Sequence, residues 1–131
     1  ALVLDVGGHG IEGTAVRGYM LRRLRVAPGP TYRVSVLDDA AEAAADDALA
    51  EHPAQVILLA ADWLLSPKQV KRLQQRVRMA VGPDVPIVWL VVGEDDGAPG
   101  APAPDDMQHW ETLIDDLRDP ATEIAAYDPT A

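Results

Sequence analysis

The chain has 131 residues, the size of one ordinary domain with a single core. Hydrophobic residues make up 48% of it, which excludes a disordered chain, and no apolar run nears the roughly 20 residues of a membrane span. It contains no cysteine, excluding disulfides, thiolate metal sites and cysteine nucleophiles, and its net charge of −10 argues against nucleic acid as a partner.

Periodicity predicts an alternation of strands and helices. Residues 1–6 (ALVLDV) read as a short, mostly apolar strand that runs into Gly7-Gly8-His9-Gly10. A chain that opens on Ala1 inside a strand, with no signal peptide, reads as a processed product or an excised fragment. A helix fits residues 11–25, with Val16, Met20 and Leu24 on one face, and Pro28-Gly29-Pro30 breaks it. Residues 32–37 (YRVSVL) alternate like a strand, after which Asp38 and Asp39 offer caps for an alanine-rich helix reaching Glu51.

Residues 55–61 (QVILLAA) are nearly all apolar, as in a central parallel strand buried on both faces. Ser66-Pro67-Lys68-Gln69 has the serine, proline and glutamine of a capped helix start, and that helix turns Val70, Leu73, Val77 and Val81 inward before Gly82-Pro83. Residues 85–92 (VPIVWLVV) form the second central strand. The Gly/Pro-rich stretch 93–104 is expected to be a flexible loop, a lid or a flap. Asp105 or Asp106 is expected to cap the last helix, with Trp110, Leu113, Ile114 and Leu117 inward, and residues 122–127 (TEIAAY) close the pattern as a fifth strand.

Five strands with four intervening helices predict one α/β domain over residues 1–131. The expected architecture is a three-layer α/β/α, flavodoxin-like fold with a five-stranded parallel, doubly wound sheet in the order 2-1-3-4-5. The helix that normally follows the fifth strand is missing. Strands three to five are therefore expected to stand bare on one face, to be covered by another domain or subunit.

Charge is segregated along the chain. Residues 13–37 carry Arg17, Arg22, Arg23, Arg25 and Arg33 with no acid, and residues 63–83 carry Lys68, Lys71, Arg72, Arg76 and Arg78, again with no acid. Residues 38–51 hold six acids, and residues 94–128 hold eleven acids against Arg118 alone. Such blocks read as solvated faces of opposite sign, or as a basic docking face for an acidic partner.

In sheets of this order a ligand binds beyond the carboxyl ends of the strands, at the switch point between the first and third. That places Gly7, Gly8, His9 and Gly10, then Asp62 and Trp63, then Glu94, Asp95 and Asp96 at the candidate edge. The glycines let backbone amides approach a ligand closely. His9 is a candidate general base, phosphate acceptor or metal ligand that Asp62 would orient. A carboxylate metal site from Asp62, Glu94 and Asp95 competes with an acidic, solvated loop. His52 and His109 read as solvated, Trp63 and Trp89 as supports of the site or as core. Ser35 lies in a strand, Ser66 is explained by capping, Thr14 in the first helix is the one threonine with a candidate catalytic setting, and no GxSxG motif occurs. No cofactor is called for and no direct membrane insertion is expected.

The order of elements resembles the SGNH (GDSL-like) hydrolases, above all the small domains attached to bacterial sugar acyltransferases. The family opens strand–GDSxxxG–helix; here Gly7 and Gly13 match its glycines, while Gly8 stands at its aspartate and His9 at its serine nucleophile. Asp62, in Leu59-Ala60-Ala61-Asp62-Trp63, occupies the place of the family's oxyanion-hole asparagine, and the chain contains no asparagine at all. The family's DxxH pair follows the fifth strand, beyond the last residue. The resemblance thus implies a degenerate member kept for interaction or regulation, with a small enzyme or ligand binder using His9 and Asp62 on an ester or anionic substrate as the alternative. Asp5-Val6-Gly7-Gly8-His9-Gly10 also looks like the DVxGHG stretch of sporulation-type serine phosphatases, whose β-sandwich the later elements do not suit.

Overall fold

The computed structural model describes residues 2–6, 14–25, 31–34, 43–51, 53–61, 66–95 and 98–129. Strand β1 (Leu2–Val6) precedes helix α1 (Thr14–Tyr19), which widens into a π-helical segment over Met20–Leu24. There follow β2 (Thr31–Val34), α2 (Ala43–Ala50), β3 (Val56–Ala61), α3 (Pro67–Val81) and β4 (Ile87–Asp95). The chain continues through β5 (Ala98–Gly100), α4 (Pro104–Leu117) and β6 (Thr122–Ala126). The fold is α/β, a parallel sheet accompanied by helices. β1 lies between β2 and β3, and β3 pairs with β4. β4 also takes β6 as a parallel neighbour and β5 as a short antiparallel one.

Strand alternation divides the core. Leu2, Leu4, Val56, Leu58, Ile87 and Trp89 pack with α2, α3 and α4 through Leu49, Val70, Leu73, Val77, Trp110 and Ile114. The intervening Val3, Ile57, Leu59, Val88, Leu90 and Val92 pack with Val16, Tyr19 and Met20, and with Tyr127 beyond β6. β3 and β4 are buried on both sides, so they carry continuous apolar runs rather than an alternating pattern.

The second cluster corrects the expectation of a bare face for β3 and β4, while on β6 Glu123 is exposed and Ala125 half-buried. Val88, Leu90 and Val92 are 6%, 0% and 1% exposed, as buried as the opposite face of the same strand. Large side chains cover it in place of a further helix: the Tyr19 and Tyr127 rings meet edge to face at 5.2 Å, beside Met20. The Tyr19 hydroxyl donates to the Ala126 carbonyl at 2.9 Å, fixing the end of β6. Burial, with the Asp128 carboxylate nearby, pushes the Tyr19 phenol above its ordinary pKa.

Half of the stretch expected as a flexible loop, residues 93–95 and 98–100, is strand. β4 runs on to Asp95, and the register Asp95↔Ala98 returns the chain as β5, so only Asp96 and Gly97 lie outside the described residues here. Gly93 permits the return: a side chain there would strike the Ala101 carbonyl and come within 2.9 Å of the Pro102 Cα. Pro99 is tolerated because β5 is a short edge strand. The start of α4 also differs from expectation. Ala103 occupies the cap position without a side-chain bond, Pro104 opens the helix, and Asp105 and Asp106 fall in its first turn. There they favour the positive end of the helix dipole rather than capping it. Among the described residues no helix is long and apolar enough to cross a membrane.

Candidate functional site

At the carboxyl ends of the strands, Val6 of β1 and Ala61 of β3 close neighbouring parallel strands. Gly7, Gly8, His9 and Gly10, which follow the first, and Asp62 and Trp63, which follow the second, lie outside the described residues, as do His52, Ser35, Asp38 and Asp39. Glu94 and Asp95 end β4, and the described residues hold no group of three or more metal-ligating side chains.

One group at this edge escaped the sequence reading. Asp5 is a carboxylate 3% exposed, one residue before the end of β1 and in register with Leu59 of β3 and Arg33 of β2. Its signal was an acid inside an otherwise apolar strand, since carboxylates are rarely buried without a specific role. Trp89, by contrast, is core: it is fully buried, with its ring 5.5 Å from that of Trp110. His109 is exposed on α4, and Ser66 is the amino-terminal cap of α3.

Toward the amino ends of β4 and β6 lies a polar network that the sequence reading did not foresee. Gln74 sits among the inward residues of α3 and is 4% exposed. It accepts from Trp89 Nε1 at 2.9 Å and donates to Thr122 Oγ1 at 2.7 Å and Asp119 Oδ2 at 2.9 Å. Arg78 Nε donates to the same Asp119 oxygen at 2.8 Å, while its Nη1 donates to the carbonyls of Gly82 and Val85. Burial alone would raise the Asp119 pKa, but hydrogen bonds from Arg78, the Ala121 amide and Thr122, with the guanidinium charge, hold it below the usual carboxylate value. An acid so firmly ionised and bonded is a poor proton acceptor. The network bolts α3 to β4 and to the start of β6; it is a structural clamp rather than a catalytic group.

The outer surfaces of α3 and α4 form the third candidate. Lys68, Lys71, Gln75 and Met79 recur at helical spacing on α3 and are all exposed, Met79 to 88%. Beside them runs a groove of about 320 Å³, lined by Lys71, Gln75, Arg78, Met79, Leu117 and Asp119. α4 carries Asp105, Asp106, Glu111, Asp115 and Asp116 on its exposed positions. This arrangement offers cations flanking an adaptable thioether side chain, with no serine, threonine or cysteine among the groove residues. No family model, curated protein or solved structure matches the chain.

Proposed function

We propose that the chain is a non-catalytic interaction or regulatory domain, a degenerate relative of the SGNH hydrolases, that docks an acidic partner on the outer face of α3. Its sheet is read as doubly wound and three layers thick, in the order 2-1-3-4-5 with β6 as the fifth parallel strand. The parallel pairings from β2 through β1, β3 and β4 to β6 support that reading. The replacement of the family's serine by His9, and the lack of any asparagine, support a role without acyl transfer.

The stripe Lys68, Lys71, Gln75 and Met79 carries the docking half of the proposal. Val70, Leu73, Val77 and Val81 already satisfy the packing of α3, so the fold does not require an exposed methionine among cations. Methionine re-packs readily against a partner, and the lysines select negative charge. The test is fluorescence anisotropy of a labelled helical peptide with one glutamate face and one leucine face. Binding to the chain, weakened roughly tenfold or more by Lys68→Glu with Lys71→Glu, is expected; equal binding by the variant overturns the proposal.

A second reading is favoured by Asp5, a buried carboxylate at the edge where a ligand would sit. It holds that His9 and Asp62 act there on an ester or anion. Hydrolysis of a short-chain aryl ester beside His9→Ala and Asp62→Ala separates the two. The interaction domain gives the rate of buffer in all three, whereas activity lost in both variants establishes the second reading.

A further inference from the structure

α3 and α4 pack side by side over the same face of the sheet and share one hydrophobic cluster. They span 15 and 14 residues, nearly the same length. α3 carries Lys68, Lys71, Arg72, Arg76 and Arg78 with no acid, and α4 carries Asp105, Asp106, Glu111, Asp115 and Asp116 with no lysine or arginine. Two adjacent helices of opposite sign make a self-complementary face. A two-fold axis parallel to the helices and passing between them sets each α3 against the α4 of a second copy, in a closed pair.

From this we infer that the acidic partner of α3 is α4 of another copy of this chain, an inference that rests on the docking role proposed above. Met79 and half-buried Leu117, beside the groove between the helices, form the apolar centre of the contact, and the charged rows form its rim. A face about 22 Å long and about 20 Å wide buries on the order of 900 Å² over both copies, the range of weak and transient pairs. The net charge of −10 per chain opposes pairing at long range. Screening over about 8 Å at physiological ionic strength leaves the local complementarity dominant. The dimer is therefore weak, and added salt loosens it.

Sedimentation velocity on three chains tests this: the natural one, Lys68→Glu with Lys71→Glu at the start of α3, and Asp105→Lys with Asp106→Lys at the start of α4, which the axis sets opposite each other. All four positions are exposed, and circular dichroism checks that each variant keeps its fold. The natural chain is expected to dimerise with concentration at physiological salt, where the net repulsion is screened, and to dissociate as salt rises further. Each variant alone is expected to be monomeric, since its altered helix keeps almost no net charge to set against the other helix. An equimolar mixture sets the unaltered α3 of one variant against the unaltered α4 of the other, restores that contact in full, and is expected to dimerise where neither variant does alone. A natural chain that stays monomeric, or variants whose mixture stays monomeric, overturns the inference. If the glutamate–leucine peptide still binds α3 in that case, the docking role stands with a different partner; if it does not, both fall.

Discussion

Helices α3 and α4 lie over the same side of the sheet and are built by different rules. α3 starts with a reciprocal cap, in which Ser66 accepts from the Gln69 amide and the Gln69 side chain accepts from the Ser66 amide. It is anchored by a polar network as well as by Val70, Leu73, Val77 and Val81. α4 starts on an uncapped Ala103 and is held by apolar contacts centred on Trp110 and Ile114. Their inner positions answer to the sheet, which demands volume and satisfied hydrogen bonds. Their outer positions answer to no packing demand, yet they are sorted by charge, cations on one helix and carboxylates on the other. That sorting is the observation on which the proposed recognition role rests.

Removing the apolar anchor of α4 is expected to have the largest effect. Trp110 is 1% exposed, so Trp110→Ala should cost about 3–5 kcal/mol in chemical denaturation, with α4 loosened first. The corresponding break in α3 is Gln74→Leu, which leaves Trp89 Nε1 and Thr122 Oγ1 to lose their buried partner. Its expected cost is about 2–3 kcal/mol by the same measurement. A smaller loss would mean that water or a rearranged Arg78 takes over the contacts.

The clamp at Asp119 should make the anchoring of α3 depend on pH. Asp119 has a folded pKa below its unfolded value, so its contribution is complete above the ordinary carboxylate pKa of about 3.9 and is lost as pH falls through the lower, folded value. Melting temperature measured against pH should fall on the acid side in the natural chain and fall less in Asp119→Asn. Equal acid limbs would remove Asp119 from the clamp. The caps give the smallest effects, with opposite signs. Ser66→Ala should cost about 1 kcal/mol. Ala103→Asp should add up to about 1 kcal/mol, because Ala103 already has the extended backbone of a cap, at φ −62° and ψ 145°.

What could be read from the sequence follows the same division. The start of α3 and its four inward residues are local features, fixed by the Ser66-Pro67-Lys68-Gln69 cap and by apolar spacing, and the structure places them as read. The continuous apolar runs of β3 and β4 announced central strands for the same reason. The β4–β5 return was also legible, since Asp96-Gly97 is a two-residue hairpin signal, but proline and glycine content pointed to a loop. Gln74 was not legible. A glutamine between Leu73 and Gln75 acquires meaning only when Trp89, and Asp119 with Thr122, from two other stretches of chain, meet around it. The covering of the second face was hidden likewise, because the contact of Tyr19 with Tyr127 spans nearly the whole chain. Of the candidate ligand edge, His9 and Asp62 lie outside the described residues, while Asp5 was overlooked as part of an apolar strand.

The central claim is that recognition takes place on α3 rather than at the carboxyl edge of the sheet. The most direct measurement is the map of backbone amide shifts when the glutamate–leucine peptide is titrated into the isotopically labelled chain. The docking account expects the largest shifts at Lys68, Lys71, Gln75 and Met79. Shifts confined to Gly7, Gly8, His9, Gly10, Asp62 and Trp63, or none at saturating peptide, would contradict it.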